Sequence, residues 1–219
     1  MAPAAFVFDL YGTLVDFTSL HERVADVAPD VRGFVETWRA KQLAYAFTAT
    51  LMERYEDFDT LTGYALAFAA AAHGVSLGAE RRAALVAAWS DLPAYADVPG
   101  TLAALRAQGK RLAILSNGTP AALARVVARA GIADAFDAIL SVDAVRAYKP
   151  SPAVYALAER TLGLERGRIG FISSNGWDAT GAAEYGFEVY WCNRRGVPAE
   201  TFGAVPAHTI ASLAELVKA

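Results

Sequence analysis

Asp9 closes the short apolar run Ala5-Phe6-Val7-Phe8, and Tyr11 and Thr13 follow within four residues. Ser116, Asn117 and Gly118 close a second apolar run that begins near Arg111. Lys149 stands before Pro150, and Ser173, Ser174, Asn175, Trp177 and Asp178 close a further run that begins at Ile169. These clusters supply a carboxylate nucleophile, hydroxyls, an amide, a cation and a second acid. A carboxylate is ionised at neutral pH, so as a nucleophile it needs orientation rather than deprotonation. A nearby ammonium would favour its ionised form. A purely structural chain has no need of polar residues at so many run ends.

The elements that must position these residues follow from periodicity. Ala5 to Phe8 reads as a buried strand followed by a turn. Between about Ser19 and Ala96 no strand is evident and helical spacing dominates. Phe34, Trp38, Leu43 and Phe47 fall near one helical face, and helices are expected over 60–73 and 78–89. After Pro99-Gly100 the pattern alternates. Helices are expected over 101–108, 120–130, 152–162 and 179–185, with strands over 111–115, 138–141, 169–172 and 188–192. Strands separated by helices imply a parallel sheet with right-handed crossovers. The expected fold is therefore α/β, a Rossmann-like parallel core (residues 1–16 and 98–219) carrying an inserted all-helical cap (residues 17–97). In such sheets the ligand lies outside the carboxyl ends of the strands, where the polar clusters fall.

Composition narrows the classes further. The 219 residues are 55% hydrophobic and 20% charged, enough for a large core and against disorder. Net charge is −3 without a basic stripe, which argues against a nucleic-acid partner. No segment approaches the roughly 20 consecutive apolar residues of a membrane span, and the N-terminus lacks the basic region of a signal peptide. Cys192 is the sole cysteine, so no intramolecular disulfide can form, in accord with a reducing cytoplasm. No His-Glu-x-x-His, Walker or dinucleotide-binding signature occurs.

The clusters resemble, in order and spacing, the four signatures of the haloacid dehalogenase superfamily. They stand here as Asp9-Leu10-Tyr11-Gly12-Thr13-Leu14, Leu115-Ser116-Asn117-Gly118, Lys149-Pro150 and Ser173-Ser174-Asn175-Gly176-Trp177-Asp178. Phosphatases of that superfamily carry an aspartate two residues after the nucleophile, to protonate an alkoxide leaving group. Here that position is Tyr11, neutral and far less acidic. Halide is a weak base and leaves unprotonated. With Trp38-Arg39 in the helical block, the chain is similar along its whole length to the L-2-haloacid dehalogenases of type II.

The resemblance implies a hydrolase that needs no metal and no cofactor and acts on small 2-haloacids. Asp9 would form an ester with inversion at C2, and Asp178 would activate the water that cleaves it, helped by Thr13, Ser173 and Asn175. Lys149 would pair with Asp9, with Tyr155 holding that pair. Ser116 and the backbone near Tyr11 would hold the substrate carboxylate, since N–H groups at an opening helix suit an anion. Arg39 and Asn117 would seat the halide, while Tyr11, Leu43, Phe58 and Trp177 would wall the pocket. A homodimer is also implied.

Blander readings stand beside these. Asp9 suits a turn and Thr13 a helix cap. Arg39 suits a solvated helix face, Lys149 a surface loop, and Tyr155, Phe58 and Trp177 a core. A magnesium-dependent phosphatase and a non-enzymatic relative are the competing functions.

Overall fold

In the computed structural model, which describes residues 3–218, the strands are β1 (Ala5–Phe8), β2 (Arg111–Ser116), β3 (Ala138–Ser141), β4 (Ile169–Ser173), β5 (Glu188–Cys192) and β6 (His208–Ile210). They form one parallel sheet in the order β3-β2-β1-β4-β5-β6. All four residues of β1 are buried, as a central parallel strand requires. Phe8 pairs with Ile114 on one side and Ile172 on the other, so Asp9 emerges between two strand ends. Strand order reverses between β1 and β4, and the crevice opens at that switch point.

Four helices lie between β1 and β2. They are α1 (Leu20–Val24), α2 (Val31–Leu51), α3 (Phe58–Ala72) and α4 (Ala79–Ala88). The helices that follow are α5 (Val98–Ala107), α6 (Pro120–Arg129), α7 (Pro152–Leu162) and α8 (Gly176–Tyr185). α5 and α6 both touch the turn Ala133–Ala135, whereas α7 packs on α8, consistent with layers on opposite faces of the sheet. The helical block is entered and left through paired chain segments: Val15 bridges Ala94, and Asp16 N–H donates to Pro93 O at 2.8 Å. No helix among the described residues is long and apolar enough to cross a membrane.

Three sequence expectations need adjustment. α8 begins at Gly176 rather than Ala179, so Trp177 and Asp178 belong to its first turn. Three-residue β6 and five-residue α1 were not expected from the sequence, being too short to establish a period. On α2 the buried stripe is Phe34, Trp38, Gln42, Ala46 and Ala49; Leu43 and Phe47 lie half-buried beside it. A helix turning 3.6 residues per turn carries residues 43 and 47 off the 34/38/42 row.

Candidate active site

Asp9 lies just beyond β1, its N–H held by Ile172 O at 2.8 Å. The chain then turns back through Gly12 at φ +84°, a conformation that favours glycine. That turn returns the Thr13 hydroxyl to Asp9, where it donates to Oδ2 at 3.0 Å, while accepting from Ser174 N–H at 2.8 Å. Asn175 Nδ2 donates to the same Oδ2 at 2.9 Å and to Tyr11 O at 3.2 Å. Lys149 Nζ donates to Asp9 Oδ1 at 3.1 Å and to Asp178 Oδ2 at 3.0 Å. Thus Asp9, Thr13, Lys149, Asn175 and Asp178 converge from three distant chain segments.

The electrostatics follow from burial. Lys149 is only 1% exposed and Asp178 is fully buried. Burial opposes the Lys149 ammonium, but Asp178 and Asp9 outweigh it and hold its pKa above the usual lysine value. Burial, reinforced by the Asp9 charge, raises the pKa of Asp178; Lys149 and Tyr155 act in the other direction. Tyr155 OH donates to Asp178 Oδ1 at 2.8 Å and to Asp178 O at 3.2 Å. Tyr155 was expected beside the Asp9–Lys149 pair, but its bonds go to Asp178, because α7 packs on α8 and delivers the hydroxyl there. Its burial at 0% exposure also makes it a buried support rather than a wall of the cleft.

The remaining expected residues occupy distinct places. The Ser173 hydroxyl accepts from Asn175 N–H at 3.2 Å and touches neither carboxylate. Ser116 is buried and accepts from Gly118 N–H at 3.3 Å. Asn117 Oδ1 accepts from Lys149 N–H at 3.1 Å, tying two of the polar loops together. The α6 N-terminus is capped from within, since Thr119 Oγ1 accepts from Ala122 N–H. The Tyr11 N–H meets no acceptor among the described residues. The Tyr11 ring packs against Phe58 and Trp89, with centroids 6.3 and 5.9 Å away. Burial raises the pKa of its phenol, so it stays neutral. Trp177 instead faces Phe47 at 5.1 Å, on an apolar groove of about 850 Å³ that neither Asp9 nor Tyr11 lines.

Arg39 comes from α2. Its guanidinium lies over the rings of Trp89 (5.6 Å) and Phe17 (5.8 Å), and it donates to Gln42 Oε1 at 2.5 Å. Gln42 Nε2 in turn donates to Thr62 Oγ1 at 2.6 Å. Burial pushes the Arg39 pKa down to about 10, with the charge of Asp9 resisting the fall. Leu43 lies one turn further along α2, half-buried. Sequence reasoning missed Gln42, Phe17 and Trp89 as supports of Arg39. Gln42 could have been found as the one polar residue on the stripe of Phe34, Trp38 and Ala46.

The arrangement presents an oriented carboxylate, Asp9, beside an ammonium that also holds a second, buried carboxylate, Asp178. Comparisons with known proteins give the family. Residues 3–186 match the model of the haloacid dehalogenase-like hydrolase family. The chain is 44% identical to an (S)-2-haloacid dehalogenase of Pseudomonas sp. strain YL, over 96% of this chain and 91% of that one. It is 37% identical to haloacetate dehalogenase H-2 of Moraxella sp. strain B, covering 94% and 92%. The L-2-haloacid dehalogenase of Xanthobacter autotrophicus with chloropropionic acid covalently bound superposes with a TM-score of 0.91 at 34% identity, covering 99% and 97%. With its nucleophile-tip sheet, helical block and polar strand ends, the chain belongs to the haloacid dehalogenase-like hydrolases, in the branch of the (S)-2-haloacid dehalogenases.

Proposed function

We propose that the protein hydrolyses (S)-2-haloalkanoic acids to (R)-2-hydroxyacids and halide. An Asp9 carboxylate oxygen attacks C2 from the rear, and the carbon–halogen bond breaks with its electron pair leaving as halide. Rear attack inverts C2. Water then adds to the ester carbonyl of Asp9 while Asp178 takes its proton; collapse breaks the ester C–O bond, the departing oxygen takes that proton back as the hydroxyl of the product, and Asp9 and Asp178 are restored. Thr13 and Asn175 hold the attacking group in place. Ser173 acts through the Asn175 backbone. The Tyr11 N–H and Ser116 hold the substrate carboxylate, and Arg39 with Asn117 receives the halide. Tyr11, Leu43 and Phe58 surround the carbon chain, and residues 17–97 act as the cap that brings Arg39 to Asp9.

The observation that carries this reading is the neutral Tyr11 two residues after a three-donor Asp9. No second carboxylate stands there to protonate an alkoxide. Metal-independence is part of the proposal, supported by the Lys149 ammonium already bridging both carboxylates. Pairing of two copies is supported by exposed Leu51, Met52, Tyr64 and Phe68 on and beside α2 and α3. The buried thiol of Cys192 suits a reducing cytoplasm. The test is a single turnover of 2-chloropropionate in heavy-oxygen water with enzyme in excess. The label should enter Asp9 and not the product; label in the product alone would rule out the ester.

A further inference from the structure

Arg194 follows the end of β5 and meets two elements at once. Its Nη2 donates to Thr13 O at 3.1 Å, and Nη1 and Nη2 each donate to an Asp97 oxygen at 3.0 Å. The guanidinium lies 4.2 Å from the centre of the Tyr95 ring. Asp97 is fixed from its far side by the Ser212 hydroxyl at 2.7 Å and the Leu213 N–H at 2.8 Å. Burial disfavours the Asp97 carboxylate, yet these donors hold its pKa below the usual range. Tyr95 N–H donates to Leu14 O at 3.0 Å, so this anchor is continuous with the turn that follows Asp9.

Thr13 is the residue whose hydroxyl reaches Asp9 Oδ2. Its Oγ position depends on where its own peptide sits. One face of that residue is fixed by Ser174 N–H on the hydroxyl, and the other by Arg194 on the carbonyl. A planar fork can bind a carboxylate bidentately and still present an N–H to a carbonyl, which a lysine ammonium on a flexible stem reproduces poorly. We infer that Arg194 is a positioning residue: anchored on Asp97, it holds the Thr13 carbonyl so that the Thr13 hydroxyl stays on the nucleophilic carboxylate. The inference rests on the dehalogenase reading, and it adds a residue outside the four polar strand-end clusters.

The test is a double-mutant cycle on halide release from 2-chloropropionate, with thermal midpoints recorded alongside. Arg194→Ala should lower kcat roughly ten-fold, a misplacement effect, with KM changed less than about twofold. In a Thr13→Ala background the same change should lower kcat by less than about threefold, because the hydroxyl it positions is gone. Arg194→Lys gives the same comparison should the alanine variant not fold. Ser212→Ala, which removes an Asp97 bond on the side away from Thr13, should lower the thermal midpoint and leave kcat within about twofold. Equal losses in both Thr13 backgrounds, or a wild-type kcat for Arg194→Lys, would overturn the inference. An inactive wild-type protein would instead overturn the dehalogenase reading itself.

Discussion

Asn175 stands at the N-cap of α8 but gives that helix no side-chain cap; its Nδ2 donates to Asp9 Oδ2 at 2.9 Å instead. A good cap residue has been diverted from helix stabilisation to the nucleophile. Asn175→Ala should therefore cost little stability and much activity. A hydrogen bond to a charged group contributes about 1.5–3 kcal/mol, so turnover should fall roughly 10- to 100-fold. The thermal midpoint should shift by only a few degrees. A large stability loss with normal turnover would return Asn175 to a structural role.

Lys149 lies between two buried carboxylates, and removing its charge leaves both without their cation. Lys149→Met should destabilise the fold by about 3–5 kcal/mol, as expected for breaking a buried pair. Denaturant unfolding measures that loss, and halide release should vanish. Because the ammonium supplies the local positive charge, chelators should leave wild-type turnover unchanged. Loss of activity with EDTA, restored by magnesium, would favour the phosphatase-like chemistry.

Arg39 is the cationic group of the site whose pKa has been lowered, to about 10. In its proposed role as the halide seat, Arg39 loses charge as pH rises toward that value, so turnover should decline there. Lys149, held above the ordinary lysine value, stays protonated longer. Arg39→Lys should move the alkaline limb to lower pH, because the same burial acts on a group that starts less basic. A pH profile of kcat that keeps its alkaline limb in this variant would exclude Arg39 as the source.

In its proposed role Asp178 accepts a proton from water and must be ionised to do so, and its pKa is raised by burial and by Asp9. Turnover should thus fall with decreasing pH at a value above the usual aspartate range, near 3.9 for a free side chain. The sign for stability is opposite to that of a stabilised carboxylate. A raised folded pKa contributes stability at low pH that is lost as pH rises through it. Tyr155→Phe removes a hydrogen bond that favours the ionised form, so the acid limb of kcat should move upward. An unmoved limb would detach Tyr155 from this role.

Much of this protein was determined locally. Ala5–Phe8, Ala138–Ser141, Pro152–Leu162 and Glu188–Cys192 have the bounds that periodicity and Gly/Pro punctuation predict. Alternation of strands and helices specifies a parallel sheet, and a parallel sheet specifies where ligand groups must lie, so Asp9, Lys149 and Asp178 were legible as a set. Tertiary structure alone decided their partners. A hydrogen bond requires proximity within about 3 Å, and residues 9, 149 and 178 meet only when non-adjacent strands pair. The same holds for Tyr155 reaching Asp178 rather than the Asp9–Lys149 pair, and for Gln42, Trp89 and Phe17 gathering round Arg39. Arg194 had no local signal at all, because its importance comes from a carbonyl 181 residues away in the chain. Pattern in a sequence reports which face a residue takes; it does not report what waits on that face.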